Sequence, residues 1–395
     1  MPNKPRSHVE DLRGASRLAV EATRGVTALV EAMHQVIASG PASLGAPLAG
    51  PARAATGLAY GAVRGVASLV GAGIDLALGQ LGPLFGAGTP GAERDAVLAV
   101  LNGVLGDYLH ETGNPLATEM RLRPEGTPGG KLLVLVHGSS MTDRHWLQGG
   151  HDHGAALARD LGYTPIYVQY NSGLHISTNG RVLADQLEQL VAGWPVPIDE
   201  LVLLCHSMGG LVARSACHAG AAHAWRARLR ALITLGSPHH GAPLERAGNW
   251  VDVLLGVSRY SAPLARLGKI RSAGVTDLRF GNVLDEHWHA RDRFELRADD
   301  RTPLPLPAGV RCFAVAASLS PAPAPTPREA PASPAPAARL RGDGLVPVDS
   351  ALGVHATPAL TLGFPDAHRS IAYATGHVQL LGSATVYDTL RTWLS

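Results

Sequence analysis

The 395-residue chain is short of nearly everything that marks a nucleic-acid binder, a disulfide scaffold or a membrane-spanning protein. Lysine occurs only as Lys4, Lys131 and Lys269, and 34 basic residues face 32 acidic ones for a net charge of +2. Such a balance leaves no electrostatic footprint for nucleic acid. Cysteine is equally scarce: Cys205, Cys217 and Cys312 are too few and too scattered for a disulfide framework or a zinc cage. Their low, odd number suits a reducing compartment. The opening residues lack the apolar run of a secretory signal, so a cytoplasmic location is expected. Long apolar runs are missing as well; the nearest approach, residues 65–92, is rich in glycine and interrupted by Pro83. The absence of a G-x-x-x-x-G-K-[ST] run removes the phosphate-loop nucleotide binders.

What the chain has is apolar mass: hydrophobic residues make up 46% and charged residues 17%, enough for a large core. Gly (46) and Pro (29) are also abundant, so loops and low-complexity stretches are expected. The first 115 residues read as a helical extension. Leu12, Ala15, Ala19, Ala22, Val26, Leu29, Met33 and Val36 recur at helical spacing. Gly57, Gly61 and Gly65 form a smooth ridge four residues apart, and Thr89-Pro90 offers the start of a helix that Asn114-Pro115 closes.

From residue 116 onward the pattern changes to short apolar runs alternating with helical segments. The runs are 132–136, 165–170, 201–204, 232–235 and 310–315. Near-continuous apolar strands between helices predict a mostly parallel sheet covered on both faces, an α/β architecture. Two inserts interrupt it. Residues 244–307 carry Trp250, Val253, Leu254 and Val257 on one helical stripe, which predicts a cap or lid over the pocket. Residues 320–338 are proline-rich and lack core-forming side chains.

The strongest chemical signal is the run Leu201-Val-Leu-Leu-Cys-His-Ser207-Met-Gly209-Gly. A strand, a sharp turn and a helix place Ser207 on a nucleophile elbow, which exposes a hydroxyl that needs a neighbouring base to react. The elbow needs small residues on both sides of the serine; Gly209 fits, and Cys205 replaces the usual first glycine. Upstream, Leu133-Val-Leu-Val-His137-Gly138-Ser139-Ser140 ends a strand in a loop at the carboxyl edge of the sheet, where ligands bind in such folds. The backbone N–H groups of Ser139 and Met208 are the candidate oxyanion donors. His137 reads as a residue that holds the loop.

With Thr234-Leu-Gly-Ser-Pro-His-His-Gly241 after the next strand, these motifs resemble the α/β-hydrolase fold of bacterial lipases and of the GPI-inositol-deacylase-like branch. The resemblance implies a nucleophile, an acid and a histidine in that chain order. Asp343, in Arg341-Gly-Asp-Gly-Leu-Val-Pro347, resembles the family's acid segment, with Asp349 as a competitor. His377, in Thr375-Gly-His-Val, matches the family's histidine position after a last strand near 358–363; His368 and His355 are its competitors. The function so implied is serine carboxylic-ester hydrolysis of apolar acyl or lipid esters, without a cofactor or metal. Peripheral membrane contact would suit such a substrate. The rival readings are an acyltransferase or thioesterase with the same residues, and a non-catalytic membrane-associated binding module. His151/His153, His239/His240 and His287/His289 are pairs that could ligate zinc, but none comes with a matched set of four ligands.

Overall fold

The five apolar runs become the middle of one sheet. The computed structural model describes residues 13–17, 20, 92–242, 271–295, 298–322 and 342–395. Its strands are β1 (Arg121–Pro124), β2 (Lys131–Val136), β3 (Leu147–Gln148), β4 (His151–Asp152), β5 (Thr164–Gln169), β6 (Glu200–His206), β7 (Leu229–Leu235), β8 (Arg311–Ser318) and β9 (Arg369–Tyr373). Seven of them form a sheet in the order β1-β5-β2-β6-β7-β8-β9, with only β1 antiparallel to its neighbour. β3 and β4 pair separately as a small hairpin.

The helices are α1 (Ala92–Glu111), α2 (His153–Leu161), α3 (Ile176–Ala192), α4 (Met208–Ala219), α5 (Ala273–Asp277), α6 (Val348–Ala351) and α7 (Ala384–Leu394). β2, β6 and β7 are buried almost end to end because helices cover both faces of a parallel sheet. Leu133, Leu135, Val202, Leu204, Ile233, Phe313 and Val315 join Leu157, Leu380 and Leu390 in one apolar cluster. Burying such side chains contributes about 1.5–3 kcal/mol each.

The chain divides into two compact units, residues 95–110 with 118–395 and residues 1–94 with 111–117. Residues 95–110, part of the expected N-terminal helical extension, fall in the unit that holds the sheet. Within the other unit, Asn114 Nδ2 donates to the Gly14 carbonyl at 3.1 Å and Arg17 donates to the Gly113 carbonyl at 3.2 Å. Most of the helical stripe 12–36, the glycine ridge 57–65, the stripe Trp250–Val257 of the proposed lid and most of the proline-rich insert lie outside the described residues. No helix among the described residues is long and apolar enough to cross a membrane.

The strand order fixes where a ligand would sit. The chain runs from β2 outward to β5, then crosses back to the other side of β2 to form β6. This reversal opens a crevice beyond the carboxyl ends of β2 and β6. The register places Val136 beside Cys205 and His206 beside Leu235. Residues 137–140, 207–210 and 236–237 therefore emerge at one edge.

Candidate active site

Ser207 stands between β6 and α4 with φ 53° and ψ −126°, a backbone conformation that residues other than glycine seldom adopt. The turn is held by the Ser207 N–H, which donates to the Leu235 carbonyl at 2.9 Å. Serine at a helix N-cap ordinarily accepts a bond from the helix backbone. Here the hydroxyl makes no cap bond and is left for other partners. The need for glycine two residues on is steric: a Cβ at Gly209 would lie 2.4 Å from the Val136 carbonyl oxygen. Two residues before Ser207, Cys205 is a fully buried strand residue, paired with Val136 and Thr234. Burial pushes its thiol well above the usual range, so it carries no thiolate to compete as a nucleophile.

Asp343 and His377, 34 residues apart in sequence, meet in the structure. His377 Nδ1 donates to Asp343 Oδ2 at 2.7 Å, and both residues are buried, at 7% and 4% exposure. The other carboxylate oxygen, Oδ1, accepts the N–H groups of Leu345 at 2.9 Å and Val346 at 2.7 Å. The His377 N–H closes a further bond on the Asp343 carbonyl at 3.1 Å. Gly236, next to the residue that receives the Ser207 N–H, packs under the pair; a Cβ there would lie 3.2 Å from both Asp343 Oδ2 and His377 Nδ1. The ring of His206 lies 4.7 Å from the His377 ring, centroid to centroid. The residue beside the serine thus touches the histidine.

The competitors are elsewhere. Asp349 is exposed on α6. The last strand is not near 358–363, where Pro358–Leu360 form a 3-10 turn, but at Arg369–Tyr373. His368 consequently precedes this strand rather than following it. It sits at the far end of the sheet, with Nδ1 donating to the Cys312 carbonyl at 3.0 Å and its ring against Phe313. His355 pairs with Asp299 at 3.4 Å.

At the other side of the crevice the loop after β2 reaches Ser207 directly: a Cβ at Gly138 would lie 2.9 Å from the Ser207 Cβ. His137 holds this loop. Its ring stacks on Tyr170 at 4.4 Å, its Nδ1 donates to the Gly138 carbonyl at 2.8 Å, and Tyr170 donates to the His137 carbonyl at 2.9 Å. Burial pushes His137 down to about 4, so the ring is neutral at ordinary pH. Among the described residues, the N–H groups of Ser139 and Met208 meet no acceptor. Met208 is the first residue of α4, where N–H groups have no partner within the helix and the helix dipole favours negative charge.

Two buried histidines, far from His377 in sequence, hold its segment. His206 Nε2 donates to the His377 carbonyl at 3.1 Å, and His153 Nε2 donates to the Leu380 carbonyl at 2.9 Å. His153 in turn accepts at Nδ1 from His151 Nε2 at 2.9 Å, so the two bind each other. His287 donates to the Thr302 carbonyl at 3.0 Å. Among the described residues, no group of three or more His, Cys, Asp or Glu is placed to hold a metal ion.

Residues 128–298 match the family model described as a PGAP1-like alpha/beta domain. The match covers less than half of the chain and agrees with its mostly parallel, helix-covered sheet. The matched segment contains Ser139, Ser207 and Met208 and stops short of Asp343 and His377. Among solved structures, lipase BlEst2 of Bacillus licheniformis in mature form is 17% identical over 70% of this chain and 98% of its own, with a TM-score of 0.43. Lipase 1 of Pelosinus fermentans is 14% identical over 67% of this chain and 97% of its own, with a TM-score of 0.38. Esterase Pf2001 of Pyrococcus furiosus is 11% identical over 68% of this chain and 85% of its own, with a TM-score of 0.37. No curated protein matched the sequence.

Proposed function

We propose that the protein is a serine carboxylic-ester hydrolase acting on apolar acyl or lipid esters. The observation that carries this reading is the 2.7 Å bond between His377 Nδ1 and Asp343 Oδ2, formed beside the residue that precedes Ser207. A carboxylate has no proton to give, so Nδ1 carries the hydrogen and the lone pair lies on Nε2. His377 is then a base able to take the Ser207 proton as Oγ attacks the ester carbonyl. The Met208 and Ser139 N–H groups stabilise the oxyanion of the tetrahedral intermediate. Its collapse expels the alkoxide, protonated by His377, and leaves an acyl group on Ser207. Water, deprotonated by the same Nε2, releases the acid. Asp343 keeps the imidazole in the productive tautomer and stabilises its cationic form. The preference for apolar acyl groups rests on the family resemblance and on the apolar stripe 250–257.

The test is Ser207→Ala against a series of p-nitrophenyl esters of rising chain length, together with labelling by a fluorophosphonate probe. The wild-type protein labels and hydrolyses, whereas the variant does neither while retaining its circular dichroism spectrum. A folded variant with wild-type turnover would overturn the reading. An acyl-enzyme that passes its acyl group to an added alcohol in preference to water would shift it to acyl transfer.

A further inference from the structure

We propose that Gly103 of α1 is a positioning residue for the oxyanion loop, acting through Ser140 on the Ser139 N–H. The inference rests on the hydrolase reading above. α1 precedes the segment that matches the family model, and nothing in its sequence carries chemistry. Its residues 95–110 nevertheless lie against three loops at the edge where Ser207 emerges. Gly103 faces Ser140: a Cβ at Gly103 would lie 1.9 Å from the Ser140 Oγ, 2.9 Å from its Cβ and 3.0 Å from its Cα. One turn on, a Cβ at Gly106 would lie 1.9 Å from the Asn171 Oδ1, and Asn171 Nδ2 donates to the Gly106 carbonyl at 2.8 Å. Ser272 Oγ donates to the Gly103 carbonyl at 2.6 Å, and Asp107 accepts the Ala273 N–H at 2.8 Å. The helix is therefore fastened on either side of Gly103 and cannot slide away from an added atom.

Ser140 has little freedom of its own. Its φ is +57°, its N–H donates to Ser172 Oγ at 2.9 Å, and its Oγ is buried without a partner among the described residues. A methyl group at position 103 must push this residue, and the Ser139–Ser140 peptide passes the shift to the Ser139 Cα, which carries the donor N–H. Oxyanion stabilisation depends on donors held about 2.7–3.1 Å from the developing charge, and losing one donor costs about 10²–10³ in turnover. A donor displaced but not removed should cost less.

The experiment compares Gly103→Ala, Ser140→Gly and the double variant in the full chain, with Ser207→Ala as the blank. It reads kcat, KM and thermal midpoint on a short soluble ester. Gly103→Ala should lower kcat by about 10–100-fold with KM changed by less than about threefold. Ser140→Gly removes the two nearest clashing atoms at a backbone angle that suits glycine. Alone it should stay within a few fold of wild type, and in the double variant it should return most of the lost kcat. Alanine favours a helix over glycine, so a role confined to α1 itself would raise the thermal midpoint and leave kcat alone. That result would overturn the proposal, as would a loss in Gly103→Ala that Ser140→Gly does not repair. If Gly103→Ala alone does not fold, the double variant decides. Folded and active, it supports the proposal; inactive or unfolded, it overturns it and makes Gly103 a folding residue. A wild-type protein without esterase activity, or an active Ser207→Ala, would be a failure of the hydrolase reading instead.

Discussion

His153 Nε2 stands 2.9 Å from the carbonyl of Leu380, three residues beyond His377 and 227 positions from its partner in sequence. With His206, which donates to the His377 carbonyl itself, it suspends the turn that carries the proposed base from the first turn of α2 and the end of β6. Both rings are buried. Burial holds His153 down to about 4 and His206 well below its ordinary value, with the nearby His377 adding to the effect on His206. Each therefore stays a neutral donor while the solution passes through mildly acid pH.

This arrangement makes His153 testable as a support. His153→Ala leaves the Leu380 carbonyl buried without its donor, a loss of about 1–3 kcal/mol. His153→Gln puts an amide N–H close to the place of Nε2 and should recover part of it. If the bond positions His377, kcat in the alanine variant falls about tenfold or more at nearly constant KM, and the glutamine variant lies between. A drop in thermal midpoint at unchanged kcat would make His153 a packing residue only.

The proposed acid and base are separable from their rivals in the same way. Asp343→Asn preserves the shape of the site but can donate to Nδ1 as well as accept, which frees the wrong tautomer. A fall in kcat of about three to four orders of magnitude is expected. His377→Ala should be similarly impaired. Asp349→Asn alters an exposed side chain, and His368→Ala acts at the opposite end of the sheet. Both should keep most of the activity of the parent on any ester it hydrolyses. An inactive, folded Asp349→Asn or His368→Ala would move the assignment while leaving the reaction class in place.

Much of this site could be read from sequence because its signals are local. The elbow is a strand followed by Ser207, Met208 and two glycines, and the five central strands are buried on both faces, so their apolar runs are nearly unbroken. The two edge strands had no such mark. β1 is Arg-Leu-Arg-Pro, and β9 is Arg-Ser-Ile-Ala-Tyr, half covered on one side. Polar composition is how an edge avoids pairing with another chain, and the more apolar 358–363 carries a stronger strand signal than β9 does. His153 and His206 were invisible for another reason. Their role depends on a carbonyl more than 170 positions away, and no spacing rule encodes that. Asp95–His110 read as part of the N-terminal helical extension because small residues on a helix carry no address; the neighbours of Gly103 and Gly106 supply one.

The buried histidines also predict how the fold fails in acid. His137 and His153 are almost fully buried and are held down to about 4 by that burial, against about 6.5 in the unfolded chain. Between those values the unfolded chain binds more protons than the native one, so stability rises with pH there and is lost as pH falls from about 6.5 toward 4. Each ring accounts for a loss on the order of 3 kcal/mol once the solution is near the native value. Stabilities of ordinary domains are about 5–15 kcal/mol. Two such groups, with His206 and His239 displaced in the same direction, should unfold the protein before pH 4 is reached. Urea titrations at pH 7.5, 6.5, 5.5 and 5.0 should show a midpoint that is level between the first two and falls steeply afterwards. In His153→Gln the curve starts lower but falls less, because one proton fewer is taken up on unfolding. A midpoint that holds level down to pH 5, or a variant that falls in parallel with the parent, would mean that these rings are not buried neutral in the folded state.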